Sequence, residues 1–137
     1  MTRGLFRSLL LLSLAFPLAC SDGPTEPSDP SLGQSFRLSA GEFLTLRGEP
    51  VRIGFEAILS DSRCPIDAIC IQAGEAKGRF WLEVTAEPAT SFELGTLDPR
   101  TITVSGYRVT LNAVSPAPRS NARIDPRDYR AELIVER

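Results

Sequence analysis

Apolar and polar residues alternate along most of the chain after residue 35. In the segment 51–59, one face is entirely apolar and the other carries Arg52, Gly54 and Glu56. The apolar face consists of Val51, Ile53, Phe55, Ala57 and Leu59. The same two-residue period recurs in the segments 80–85, 107–113 and 129–135. Each pattern predicts a β-strand with one buried face and one solvated face.

Shorter apolar segments add further strands, and Gly- or Pro-containing turns separate them. These segments are 36–38, 43–46, 91–94 and 101–104. The dipeptide Ser105-Gly106 joins the last of them to the strand at 107 and predicts a tight hairpin. The proline-containing stretch 116–128 predicts a long loop. We therefore expect residues 35–137 to form one all-β domain, a small sandwich or barrel of seven or eight mostly antiparallel strands.

The first twenty residues have the layout of an export signal. Arg3 and Arg7 precede an apolar run at residues 9–18, which is about half the length needed to cross a bilayer as a helix. A basic start, a short apolar run and a small residue before the cut are the parts of a secretory signal.

The segment ends in Pro17-Leu18-Ala19-Cys20, which resembles the lipobox of bacterial lipoproteins, although Pro17 departs from the usual leucine. The resemblance implies removal of residues 1–19 and acylation of the Cys20 sulfur, which attaches the protein to a membrane. Residues 20–34 then form a lipidated, proline-rich and flexible tether, because no aromatic or β-branched apolar residue supports a core there. Ser21 after the cysteine implies the outer membrane in bacteria with two membranes.

Charge and composition exclude several classes of function. The 137 residues include 15 basic and 17 acidic side chains and no histidine. Removal of Arg3 and Arg7 leaves 13 basic residues, so the mature chain is acidic and does not favour nucleic-acid binding. A triad with an imidazole base and a histidine-ligated metal site are both excluded. The composition predicts no cofactor.

Two cysteines remain after Cys20, and in an oxidising exported compartment Cys64 and Cys70 are expected to form a disulfide. Ile66, Ile69 and Ile71 are then expected to turn inward beneath the loop. A redox-active dithiol is a weaker alternative, because five residues separate the cysteines and no helix pattern follows. A cation site formed by Asp61, Asp67 and Glu75 is another alternative, although their spacing matches no known calcium loop.

The string 61–65 (DSRCP), the second cysteine and Ala73-Gly74-Glu75-Ala76 together resemble a pattern in a family of uncharacterised bacterial secreted lipoproteins. The strand from Tyr107 that ends in the segment 114–118 is similar to that family as well. The resemblance implies an exported β-domain and brings no activity with it.

Five residues are candidates for contact with a partner: Arg63, Pro65, Ile66, Asp67 and Trp81. Arg63 is either a displayed cation or a fork that binds Asp61 and loop carbonyls. Trp81 is out of phase with its neighbours in the strand. It is therefore either an exposed anchor or a cover for the second sheet face, packed against Ile134.

We expect a monomeric, non-catalytic binding module in the bacterial cell envelope. Recognition would use loops at one end of the domain, namely the segments 61–76 and 116–128, and the partner would be an envelope or extracellular protein or a glycan. Two alternatives remain. One is a small exported protease inhibitor, and the other is a hydrolase that uses paired carboxylates.

Overall fold

The computed structural model describes residues 29–137, and eight β-strands account for the architecture. The strands are β1 (Ser35–Ser39), β2 (Phe43–Thr45), β3 (Val51–Asp61), β4 (Ala76–Val84), β5 (Thr90–Gly95), β6 (Thr101–Val104), β7 (Tyr107–Ser115) and β8 (Arg130–Glu136). The one helix in this part of the chain is the 3₁₀ turn Pro126–Asp128. Each of the eight strand segments predicted from the sequence forms a strand.

The strands form two four-stranded antiparallel sheets, in the orders β1-β8-β7-β6 and β2-β3-β4-β5. Within the described residues, no strand of one sheet pairs with a strand of the other. The fold is therefore a β-sandwich, not a closed barrel. The predicted hairpin is present between β6 and β7, where Ser105 and Gly106 both have positive φ (48° and 80°), as a type I′ turn requires.

The core lies between the inner faces of the two sheets. Phe55, Phe80 and Phe92 stack across three neighbouring strands, with ring centroids 5.0 and 6.1 Å apart. Tyr107 lies opposite in the other sheet with its ring in the core, and its hydroxyl donates a 2.8 Å hydrogen bond to Glu49 Oε2. No polar or charged residue of the described chain is buried, so burial of apolar surface provides the main stabilisation.

Bulges interrupt two of the long strands, β3 and β7, and beyond each bulge the predicted alternation of buried and exposed residues is wrong. In β3, the register against β4 shifts after Phe55 and again after Ile58. As a result, Leu59 is 43% exposed, whereas Ile58 packs against the core. The prediction that Ala57 and Leu59 continue the inner face is wrong, because an extra residue at a bulge reverses the side on which later side chains lie.

The same correction applies to β7. Its register against β8 shifts between Leu111 and Ala113. Ala113 is consequently exposed, and Val114 takes the buried position instead. The strand predicted from the sequence ended at residue 113, one residue before Val114, so its alternation did not reveal the shift.

Different loops and turns lie at the two ends of the sandwich. We call the end with Pro30, the turn 47–50 and Arg137 the proximal end. There Pro30 accepts a hydrogen bond from the Arg47 amide, and Arg137 pairs with Glu49. The distal end carries the segments 62–75, 96–99 and 116–129. β3 runs from one end to the other over eleven residues, a length of about 35 Å.

Candidate functional site

The two loops predicted to take part in recognition meet at the distal end. The Ile66 amide donates to the Pro118 carbonyl at 3.0 Å. The Asp67 carboxylate accepts hydrogen bonds from the amide and the hydroxyl of Ser120, at 2.9 and 2.8 Å. These bonds join two segments about fifty residues apart in sequence, so the distal end presents one continuous surface.

Arg63 fastens the first of these loops to the body of the sandwich. Its Nε and Nη2 donate to the two carboxylate oxygens of Asp61, at 2.8 and 2.6 Å. The guanidinium also donates to the carbonyls of Val114 and Pro116, at the end of β7. Because Asp61 ends β3 in one sheet and Val114 lies in the other, this cluster joins the two sheets. Of the two arrangements considered for Arg63, the fork is the one observed, and only 15% of its side chain is exposed.

Asp61 is held in its charged form by this cluster. Burial raises the pKa of Asp61, but the hydrogen bonds and positive charge of Arg63 outweigh it, with help from the Tyr129 hydroxyl at 3.1 Å. The net pKa therefore lies below its ordinary value of 3.8. The pKa of Tyr129 is raised by its burial and by the same hydrogen bond.

A carboxyl with a lowered folded-state pKa stabilises the fold above its unfolded pKa and loses that contribution as the pH falls. We therefore expect the free energy of unfolding to decrease more steeply below about pH 4 in the wild type than in Asp61→Asn. The measurement is urea denaturation of both proteins between pH 6 and pH 2. Because other carboxyls titrate in both proteins, only the difference between the two curves reports on Asp61. Parallel curves would contradict the assignment.

The disulfide between Cys64 and Cys70 is present, with 5.9 Å between the two Cα atoms. Closing this short loop stabilises the fold by about 2 kcal/mol on the chain-entropy model. Pro65 is half-buried at the start of the loop, and its carbonyl accepts a hydrogen bond from the Ala68 amide at 3.1 Å. The disulfide, this turn and the Arg63 cluster together constrain the loop at its base.

The isoleucines of the loop point into solvent, so the prediction that they turn inward is wrong. Ile66 is 60% exposed, and Ile69 and Ile71 are fully exposed, at 103% and 104%. At the base of the loop, Arg63 pairs with Asp61, and the core residue Tyr129 donates to the same carboxylate. Three exposed isoleucines within six residues form an unusual apolar display for a small domain.

A second feature of the distal end was not apparent in the sequence. A groove of about 600 Å³ separates the last residues of β3 from the segment 118–126. Its apolar wall is formed by Ile58, Leu59, Pro118, Ile124 and Pro126. The groove could not have been predicted, because it depends on the β3 bulges that turn Leu59 outward and on the contact between two distant loops.

Trp81 lies elsewhere, on the outer face of the β2-β3-β4-β5 sheet. Its indole covers Gly54 so closely that a Cβ there would lie 2.2 Å from Cε2. Phe43 is its aromatic neighbour, with ring centroids 5.9 Å apart, and the Arg52 guanidinium lies over the Phe43 ring. Trp81 covers the outer sheet face, but the expected contact with Ile134 is wrong, since Ile134 belongs to the other sheet.

The acidic residues near the loop do not gather. Asp61 pairs with Arg63, Asp67 binds Ser120, and Glu75 pairs with Lys77 at 3.1 Å. No group of three or more potential metal-ligating side chains was found among residues 29–137. Each of the three acids of the cation alternative therefore binds a different partner in the described structure.

Comparison of the chain with protein-family models, with curated proteins and with solved structures found no match in any of the three. No helix in the described part of the chain is long and apolar enough to span a membrane. The predicted signal, the acylation site at Cys20 and most of the tether lie outside the described residues.

Proposed function

We propose that this protein is a lipid-anchored component of the bacterial cell envelope whose domain is a non-catalytic binding module. In this proposal the distal end binds a partner protein. The observation that carries it is the disulfide-closed loop 64–70 with the residue after it, which display Ile66, Ile69 and Ile71 to solvent on a constrained base. A constrained loop loses little conformational entropy on binding, so more of its apolar burial is available as affinity.

The position of the loop supports a partner other than the anchoring membrane. The described chain begins at the proximal end, and the loop lies at the opposite end, about 35 Å away along β3. Residues 20–28 extend over at most about 32 Å. An anchor at Cys20 would therefore be attached to the end of the domain opposite the isoleucines. Aliphatic side chains there favour an envelope or extracellular protein over a glycan.

The proposed lipid anchor is tested by substitution of Cys20. Cys20→Ser is expected to abolish incorporation of radiolabelled palmitate and to move the protein from the membrane fraction to the soluble fraction of bacteria that express it. Mass spectrometry of the wild type should show a chain that begins at an acylated Cys20. A Cys20→Ser protein that remains in the membrane fraction, or a wild-type chain without acyl mass, would contradict the anchoring proposal.

The binding surface is tested by affinity capture from envelope and secreted fractions, with residues 21–137 as bait. Replacement of all three isoleucines by serine is expected to abolish capture of a partner that the wild type retains, because the apolar contact is lost. The matched control is Phe43→Ser, which removes a 54% exposed aromatic side chain from the outer sheet face.

Equal capture by the triple variant and the wild type would refute the role of the loop, provided that circular dichroism shows both to be folded. If the captured partner is a protease, titration of its activity with the domain distinguishes an inhibitor from a binding module that leaves the activity unchanged.

A further inference from the structure

The distal half of β3 has an open edge. On the side away from β4, β3 pairs with β2 only at Arg52–Gly54, and the Phe55 backbone bonds to Gly41 and Glu42. Residues 57–60 have no strand partner on this side within the described chain. Such an edge offers main-chain donors and acceptors to an incoming strand.

The groove lies directly along this edge. Ile58, Leu59 and Ser60 line one wall of the groove, and the segment 118–126 lines the other. One bulge, at Glu56, precedes this stretch and a second, at Leu59, lies within it, and such irregularities disfavour uncontrolled edge-to-edge association. The groove between these two apolar walls has room for every second side chain of an extended segment.

The charge in the groove points to an acidic occupant. Arg123 lines the groove and forms no ion pair with any described residue. Two nearby acids are already paired, Asp61 with Arg63 and Asp125 with Arg127. An unpaired guanidinium beside an apolar groove complements a carboxylate on the occupant.

We propose that the groove binds an extended peptide segment, which adds as a strand to residues 57–60 of β3 and directs apolar side chains into the groove and a carboxylate to Arg123. The inference rests on the proposed function, since the peptide is the part of the partner that contacts the distal end. It adds a main-chain mode of recognition and a charge preference, neither of which the isoleucine loop implies.

The test is selection of a random ten-residue peptide library displayed on phage against the full chain. The expected peptides alternate apolar and polar residues and carry Asp or Glu near one end. A selected peptide is then synthesised in three forms: unmodified, with its acid changed to the amide, and with alternate backbone amides N-methylated. Fluorescence anisotropy at low salt measures each form.

N-methylation is expected to abolish binding, because it removes the main-chain donors that a strand needs. Arg123→Glu is expected to weaken binding of the acidic peptide about three- to tenfold, the range for a rim ion pair and its reversal. The amide form should bind with the same affinity to Arg123→Glu and to the wild type. Arg47→Glu is the matched control, because it makes the same charge change in the proximal turn 47–50.

Three results would overturn the inference: no enriched peptide, peptides without an acid, or binding that survives N-methylation. A dimeric chain in analytical ultracentrifugation would assign the edge to a second copy and would also overturn it. If the envelope partner is still captured by Arg123→Glu and lost with the three isoleucines, the inference fails while the proposed function stands.

Discussion

Replacement of Arg63 by alanine is expected to lower the free energy of unfolding by about 3 kcal/mol, in the range for breaking one half of a buried ion pair. The variant would leave the Asp61 carboxylate, only 10% exposed, without its counter-charge. It would also leave the carbonyls of Val114 and Pro116 without their donor. Urea denaturation of the two proteins at pH 7 provides the measurement.

The matched control for this prediction is Arg127→Ala. Arg127 makes a similar fork on Asp125, and that interaction lowers the pKa of Asp125 to about 2. Its side chain is 88% exposed, however, and exposed ion pairs contribute little, so a much smaller loss of stability than for Arg63→Ala is expected. If the two variants lost equal stability, the Arg63 cluster would not be the joint between the sheets that its geometry indicates.

Gly74→Ala is expected to have a comparable effect, also about 3 kcal/mol, which is at the upper end for overpacking. A Cβ at this position would lie 1.5 Å from the carbonyl oxygen of Ser62. Because that atom belongs to the backbone, a rotation of a side chain cannot relieve the overlap. The segments around residues 62 and 74 must therefore separate. The hydrogen bonds between Ser62 and Glu75 would then be lost, including the 2.8 Å bond from the Ser62 amide to the Glu75 carbonyl.

Thermal denaturation followed by circular dichroism measures the effect of Gly74→Ala. The neighbouring substitution Ala73→Leu serves as the control, because Ala73 is exposed and a larger side chain there extends into solvent. A change within about 0.5 kcal/mol is expected for the control. A Gly74→Ala protein as stable as the wild type would show that the close approach of residues 62 and 74 contributes little to the fold.

The alternation of residues was sufficient to predict the strands and the fold class, because the period of two is imposed by the strand geometry itself. It failed where a bulge adds a residue, at Ala57 and Leu59 in β3 and at Ala113 in β7. A bulge leaves the composition of a strand unchanged and alters only which side of the sheet each later residue occupies.

The site was predictable only in part. The pairing of Cys64 with Cys70 followed from counting cysteines in a chain expected to be exported, and the fork of Arg63 was one of two alternatives. The outward orientation of Ile69 and Ile71 was not predictable, since apolar residues in a disulfide loop usually indicate burial. The Arg63 cluster, whose contacts with Val114 and Pro116 hold the base of the loop, likewise leaves no signal in the alternation pattern.

Under the proposed anchoring and binding, the placement of Pro30 and the isoleucine loop at opposite ends has a mechanical consequence. In a domain tethered through its N-terminal segment and bound through its distal loop, tension between membrane and partner acts along the strands. The first strand to bear that load is β1, whose five residues are paired in register with β8. A pull parallel to the strands loads these pairs together in shear, instead of opening them one at a time. Under the proposed function, the geometry of the sandwich would suit it to hold a partner under force.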